Sequence, residues 1–322
     1  MNRRVATLPV MAALGAVYFF WGTTYLGMKF AIETLPPFFM LSLRFMIAGV
    51  LLFAWTASRY KPEATPGQLR GAAFSGAVML LGGTGLVAWA EQVVPSNVAA
   101  IVIATMPLWM ALIRWVALRG DRPGKTSMAG LVLGFAGTLL LVQSSTAGAP
   151  GTEGHAAGLA VLLLAAFLWA SGSLLSRTLD QPVHPGLATS VQLLSGGLCC
   201  LLAGLLTGEA GKIHLDAISL RSAAAIAYLA VFGSVVAFSC YTWLLKATDP
   251  ALASSYAYVS PVVAVTAGWV LAGESLNAGS LVAAAVILIS VVLIVRGTET
   301  AGRKTGGGPK KRDPEPRLED RS

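Results

Sequence analysis

The chain has 322 residues, 55% of them hydrophobic and only 12% charged, with a mean hydropathy of +0.70 and a net charge of +8. Soluble domains carry about 25% charged residues, so this composition excludes a soluble globular enzyme and describes an all-α polytopic membrane protein. A basic balance in such a chain is accounted for by cytoplasmic loops and their attraction to anionic inner-leaflet lipid, which leaves nothing for a nucleic-acid partner to explain.

Charge-free intervals long enough for a helix of about 20 residues follow one another along the sequence. The first, residues 5–28, lies behind the basic start MNRR and runs on through VYFFWGTTYLGM. It is longer than the apolar region of a signal peptide, has no cleavage pattern, and is read as a retained helix. On it Trp21, Thr24, Tyr25 and Met28 share one face, and Lys29 stands at its end. The second span, from about Pro37 to Trp55, is interrupted by Arg44. A guanidinium in hydrocarbon costs roughly 2.5–3.5 kcal/mol on insertion scales, so a partner is expected. The third span covers 71–90 and closes on Trp89 and Glu91, and the fourth covers 92–113 and contains Pro107.

Between the fourth and fifth spans, GDRPGKTS (Gly120 to Ser127) imitates a phosphate-binding loop. Its glycines enclose one residue too few, and a membrane helix rather than a strand precedes it, so the stretch is read as a basic turn. The fifth span lies within 126–152, where Gly130 and Gly134 have the small-xxx-small spacing of helix packing. Gln143 to Gly158 is rich in Gly, Ala and Ser and is expected to be a linker. The sixth span, 154–176, carries Trp169, Ser173 and Ser176 and ends at Arg177, and the seventh, 181–208, has Thr189, Gln192 and Ser195 on one face. The eighth and tenth occupy 222–245 and 275–295, while the ninth, 250–273, holds Tyr256, Tyr258, Ser260 and Pro261. The Gly- and Pro-rich, mixed-charge tail is expected to be disordered.

Ten spans place both termini on one side. With a cytoplasmic N-terminus, most of the 23 Lys and Arg residues fall inside, among them Arg3, Arg4, Arg59, Lys61, Arg70, Arg114, Lys125 and the tail cluster, against Lys29, Lys212 and Arg221 outside. The halves also match each other. Aligning Trp21 with Trp169 sets Lys29 on Arg177, Pro37 on Pro185, Arg44 on Gln192 and Gly49 on Gly197, and a later register sets Pro107 on Pro261. Five spans per repeat require the repeats to insert in opposite senses, the arrangement of secondary transporters with a midplane site. The expected division is a first repeat over residues 1–146, a linker over 147–157, a second repeat over 158–298 and a tail over 299–322.

No metal or catalytic group is indicated: His155, His184 and His214 fall at scattered span ends, and Cys199, Cys200 and Cys240 lie in apolar stretches. The candidate substrate-binding set is therefore the polar and aromatic residues inside spans: Trp21, Thr24, Tyr25, Arg44, Trp89, Glu91, Trp169, Ser173, Gln192, Tyr256 and Tyr258. For any one of them, packing or interfacial anchoring is as good an account; as a set they favour a lined cavity. Arg44 is expected about 10 Å deep and Glu91 about 5 Å deep from the same side, within reach of an ion pair. Lys29 and Arg177 are candidate gates, their plainer role being to snorkel, and Pro107 and Pro261 are candidate bends or static kinks.

At FFWGTTYLGMKFAIETLPPFFMLSLRF, NVAAIVIATMPLW, PALASSYAYVSPVVAV and LAGESL the chain resembles the EamA family of the drug/metabolite transporter superfamily, in particular its YedA-type bacterial inner-membrane members. The resemblance spans nearly everything but the tail. It implies two inverted five-helix repeats around a cavity lined mainly by the first, third, fourth, sixth, eighth and ninth helices, and export of small amphiphilic metabolites such as amino acids. Trp21, Arg44, Glu91, Trp169 and the SYAYVSP run stand at matching family positions, whereas LRGDR in the first repeat departs from LAGES in the second.

The expectation is a proton-coupled exporter in the cell inner membrane, monomeric or homodimeric, needing no cofactor, with a small-molecule substrate and lipid as its partners. An uptake carrier or facilitator is the alternative. A membrane-embedded enzyme would need a nucleophile, metal cluster or acid pair within the spans, and a channel a ring of like charges; the sequence offers neither.

Overall fold

The computed structural model describes residues 7–117, 124–146, 154–248, 256–273 and 278–305. The described residues form helices joined by short turns. In chain order these are α1 (Thr7–Ala31), α2 (Pro37–Arg59), α3 (Pro66–Ala90), α4 (Ser96–Ile103 continuing as Met106–Val116), α5 (Lys125–Thr146), α6 (His155–Thr178) and α7 (Pro185–Leu206). They continue with α8 (Leu220–Tyr228, Leu229–Val236 and Ala237–Ala247 in succession), α9 (Tyr256–Ala272) and α10 (Ala278–Thr305). Seven of them, α1 to α4 and α6 to α8, are long and apolar enough to cross a membrane; α9 and α10 hold shorter apolar stretches, Val262–Leu271 and Leu281–Ser290.

Local chemistry sets the helix starts. Pro37, Pro66 and Pro185 occupy first-turn positions, where the missing N–H is no loss. Thr65 and Gln68 form a reciprocal capping box on α3, and Ser219 caps α8 by accepting from the Ser222 amide at 3.1 Å. Helix α2 has no side-chain cap of its own. Glu209, from the 3₁₀ turn Glu209–Lys212 that follows α7, supplies one: its carboxylate accepts from the amides of Phe39 at 3.0 Å and Phe38 at 3.4 Å. A carboxylate is well placed there, at the positive end of the helix dipole.

The helix pairings repeat across the two halves. α2 packs on α7, α4 on α9 and α5 on α10, so each of these meets its own counterpart. α1 packs on α8 and α9 as α6 packs on α3 and α4, and α2 meets α8 as α7 meets α3. Exchanging the first five helices for the last five turns each of these pairings into itself or into another of them. At the α2–α7 contact a Cβ on Gly49 would lie 2.8 Å from Leu194 Cγ, and one on Gly197 would lie 3.1 Å from the Met46 amide nitrogen. The helices approach this closely because neither carries a side chain at the crossing, the small-residue packing of lipid-embedded helices. Away from it the same two helices expose Val50, Leu198 and Leu202, as a lipid-facing surface allows.

Two features refine the sequence expectation. The helices extend into the expected linker and tail, α5 reaching Thr146, α6 starting at His155, whose Nδ1 lies 3.1 Å from the Val93 carbonyl oxygen, and α10 continuing to Thr305. The rest of the linker and residues 306–322 lie outside the described residues, as do Glu274 and the first half of the GDRPGKTS turn. Second, α3 and α8 each pass through a π-helical stretch, Val78–Gly85 and Leu229–Val236.

Gly197→Leu should force α2 and α7 apart and lower stability by about 1–3 kcal/mol, the usual cost of overpacking. Leu198→Ala on the exposed side should leave thermal unfolding in detergent nearly unchanged.

Candidate functional site

Within the bundle lies a half-open cavity with walls from α1, α2, α3, α4, α6, α7, α8 and α9. That is the set of helices the family resemblance implies, with α2 and α7 added.

Arg44 enters the cavity from α2 with only 4% of its surface exposed. Its Nε donates to Ser234 Oγ at 2.8 Å, and its guanidinium lies 5.1 Å from the centre of the Phe45 ring. Nη1 is buried without a hydrogen-bond partner. Ser234 sits in the π-helical stretch of α8, beside Gly233, whose carbonyl accepts from Trp21 Nε1 at 3.1 Å. The helix makes this possible in two ways. A π turn leaves some carbonyls out of the regular α ladder, and Gly233 has no side chain: a Cβ there would lie 2.9 Å from both Arg44 Nη2 and Thr24 Cγ2. The π stretch of α3 is built alike, since a Cβ on Gly83 would lie 2.7 Å from Trp169 Cε3. Trp21 and Trp169, matched in the two repeats, thus each lean on the glycine of the opposite repeat's π segment.

The tryptophans meet edge to face with ring centroids 5.6 Å apart. Tyr241 and Tyr256 close a box around them, at 4.8 and 4.7 Å from Trp21 and 5.5 Å from each other, and Phe238 stands 6.5 Å from each tryptophan. Each such edge contact contributes about 0.5–1.5 kcal/mol beyond area burial. The cavity wall is chiefly apolar and aromatic, with one cationic corner at Arg44.

Of the residues proposed from sequence, Trp21, Thr24, Tyr25, Arg44, Trp169 and Tyr256 line this cavity together. Ser173 is fully buried one layer behind, accepting from the Tyr241 hydroxyl at 3.4 Å. Glu91 is buried where α3 ends, near enough to act electrostatically on both Arg44 and Tyr25, while Trp89 is 38% exposed and off the cavity wall. Gln192 and Arg177 line a second cavity between α6, α7 and α8. Lys29 is half-buried at the end of α1. Pro107 starts the second part of α4 after a break at Ala104 and Thr105; the side chains of Tyr258 and Pro261 lie outside the described residues. Sequence reasoning missed Gly233, Ser234, Phe238 and Tyr241 on α8, and Gly83 and Thr84 on α3. A signal existed: GT at 83–84 and GS at 233–234 are the same small-residue pair in matching spans.

Gly233→Ala should displace the Arg44 guanidinium from Ser234 and lower stability by about 1–3 kcal/mol. Gly15→Ala on α1, where nothing lies within 4 Å of the added carbon, should leave unfolding unchanged or slightly raised.

The model of the EamA-like transporter family matches residues 8–143 and again 156–296. The chain is 36% identical over 272 residues to the "Uncharacterized inner membrane transporter YedA" of Escherichia coli (strain K12), covering 84% of this chain and 85% of that one. It is 28% identical to "Protein PagO" of Salmonella typhimurium, over 76% of this chain and 79% of that one. A solved structure titled "Crystal structure of protein" shares the fold at a TM-score of 0.61, with 19% identity over 94% of this chain and 100% of that one. Two matches that together cover most of the chain, and a relative of this identity and coverage, place the protein in the EamA-like transporter family: it is a membrane transporter and not an enzyme.

Proposed function

We propose that the protein is a secondary active transporter that exports a small amphiphilic metabolite, an amino acid or a related compound, across the cytoplasmic membrane by alternating access coupled to the proton gradient. On this reading the chain crosses the membrane ten times, as two five-helix repeats of opposite orientation with both termini cytoplasmic. In its favour are the two separate family matches, one in each half, and helix pairings that survive exchange of the halves. An odd number of spans per repeat supplies the inversion.

The observation that carries the substrate class is Arg44. A hydrogen bond within a membrane protein contributes about 0.6–1.7 kcal/mol, less than the roughly 2.5–3.5 kcal/mol that a guanidinium costs there, so the bond to Ser234 leaves the site wanting a further partner. Nη1 is buried and unbonded on a residue that lines the cavity. A carboxylate on the substrate satisfies it, and the substrate's apolar body lies against Trp21, Trp169 and Tyr256. Arginine suits this task because its planar fork matches a carboxylate.

Glu91 is the candidate proton carrier, competing with the substrate for the field of Arg44. The break before Pro107 lets α4 bend as the halves rock, with Pro261 in the same role on α9, and Lys29 and Arg177 stand at opposite mouths as gates. Export is the direction that the family likeness implies.

Counterflow of labelled amino acids in proteoliposomes tests the reading. Wild type should show trans-stimulation, which a channel does not. Arg44→Ala should lose about ten- to a hundredfold of uptake, the worth of a charged hydrogen bond, with partial recovery in Arg44→Lys. Glu91→Gln should keep exchange but lose its response to a pH gradient. Full activity and full pH response in all three variants would end it.

A further inference from the structure

A second, half-open cavity lies where α6 ends and α7 begins, against the last turns of α8. Its wall differs from that of the aromatic cavity: Ser176, Arg177, Gln181, Thr189, Gln192 and Thr242 bring six polar side chains to it. Gln192 is only 3% exposed, in the middle of a lipid-embedded helix. Its Nε2 and that of Gln181 both lie 3.4 Å from Ser75 Oγ. The Ser75 hydroxyl proton is already given to the Ala72 carbonyl at 3.1 Å. Ser75 can therefore only accept from the two amides, which fixes their NH2 ends toward it and their carbonyl ends away. Both carbonyl oxygens, Gln181 Oε1 and Gln192 Oε1, are buried without a hydrogen-bond partner.

Two buried acceptors left open cost about 1–3 kcal/mol each, and the glutamines that carry them line one wall with the exposed side chain of Arg177. The geometry points to a second solute-binding site, for a small molecule that carries a carboxylate beside an N–H or O–H donor: the carboxylate meets Arg177 and the donor meets the two amide oxygens. Thr189 and Thr242, whose hydroxyls are 3.0 Å apart, complete the wall. Tyr241, fully buried, lies 4.8 Å from Trp21 of the aromatic cavity and donates to Ser173, a turn before Arg177 on α6. It is also the counterpart in the second repeat of the surroundings of Arg44, since Gln192 and Arg177 align with Arg44 and Lys29. On this reading the two sites stand in series. Their order along a transport path, this one nearer the cytoplasm, rests on the function proposed above; occupancy of the site does not.

Occupancy is measured on the full chain in detergent, where both sides are accessible and no transport is needed. With Cys199, Cys200 and Cys240 replaced by alanine, Leu179→Cys on the cavity wall reports through its rate of labelling by a small hydrophilic maleimide, and Val183→Cys, at an exposed position, serves as control. Glycine and glycolate at saturation should each slow labelling at Leu179→Cys by about threefold or more, acetate clearly less, and ethylene glycol not at all. Arg177→Gln should abolish protection by every carboxylate. Gln192→Leu, or Gln181→Leu should the first fold poorly, should erase the difference between glycolate and acetate. Labelling unaffected by glycine and glycolate, or protection that persists unchanged in Arg177→Gln and the glutamine variants, overturns the site. Counterflow defects in Arg44 variants leave this outcome untouched, so the two readings fail separately.

Discussion

A charged guanidinium inside a lipid-embedded bundle has to be met by polar groups of the protein, and at Arg44 that demand organises several helices at once. The side chain leaves α2, and its bond is made on α8, at Ser234. Room for it exists only because Gly233 beside that serine has no side chain, and the same glycine's carbonyl holds Trp21 of α1. Regular α-helix ties each carbonyl to an amide four residues on; the π-helical stretch Leu229–Val236 loosens that ladder where the site needs it. Removing the arginine would leave the serine, the π stretch and the tryptophan contact without their common reason.

The repeat architecture explains why one such arrangement is accompanied by another. The π stretch of α3 receives Trp169 on Gly83 as that of α8 receives Trp21 on Gly233, and the two tryptophans meet in the centre. Symmetry stops at the chemistry. Arg44 has Gln192 as its counterpart and Glu91 stands in register with Tyr241, so one half offers charge and the other amides and hydroxyls. The outcome is an aromatic cavity with a cationic corner and a separate polar cavity.

Much of the site was legible. An arginine amid apolar residues announces itself because lipid penalises it so strongly, and Trp21, Thr24 and Tyr25 showed a common face through helical spacing alone. Glu209 and Tyr241 were not legible. Glu209 stands in a polar turn where a carboxylate needs no explanation, and its role as cap for α2 depends on a fold that returns the end of α7 to the start of α2. Tyr241 sits among Phe238, Trp243 and other large residues of α8, and aromatic residues in a membrane span are as often packing as lining. Sequence alone groups Ser173 and Gln192 with Trp21 in one cavity; in the structure Ser173 backs Tyr241 and Gln192 lines the other cavity.

What the amino-acid order determined by itself was the solvent, the helical class, the repeat and the presence of costly polar groups within spans. These follow from transfer free energies and periodicity, which act residue by residue along the chain. Which groups meet was decided only by tertiary structure: that Arg44 finds Ser234, that two glutamine amides converge on Ser75, and that five aromatic rings gather at one wall of the first cavity. Contacts between helices far apart in sequence depend on crossing distance and rotation, and those are set by glycines and packed surfaces from both partners at once.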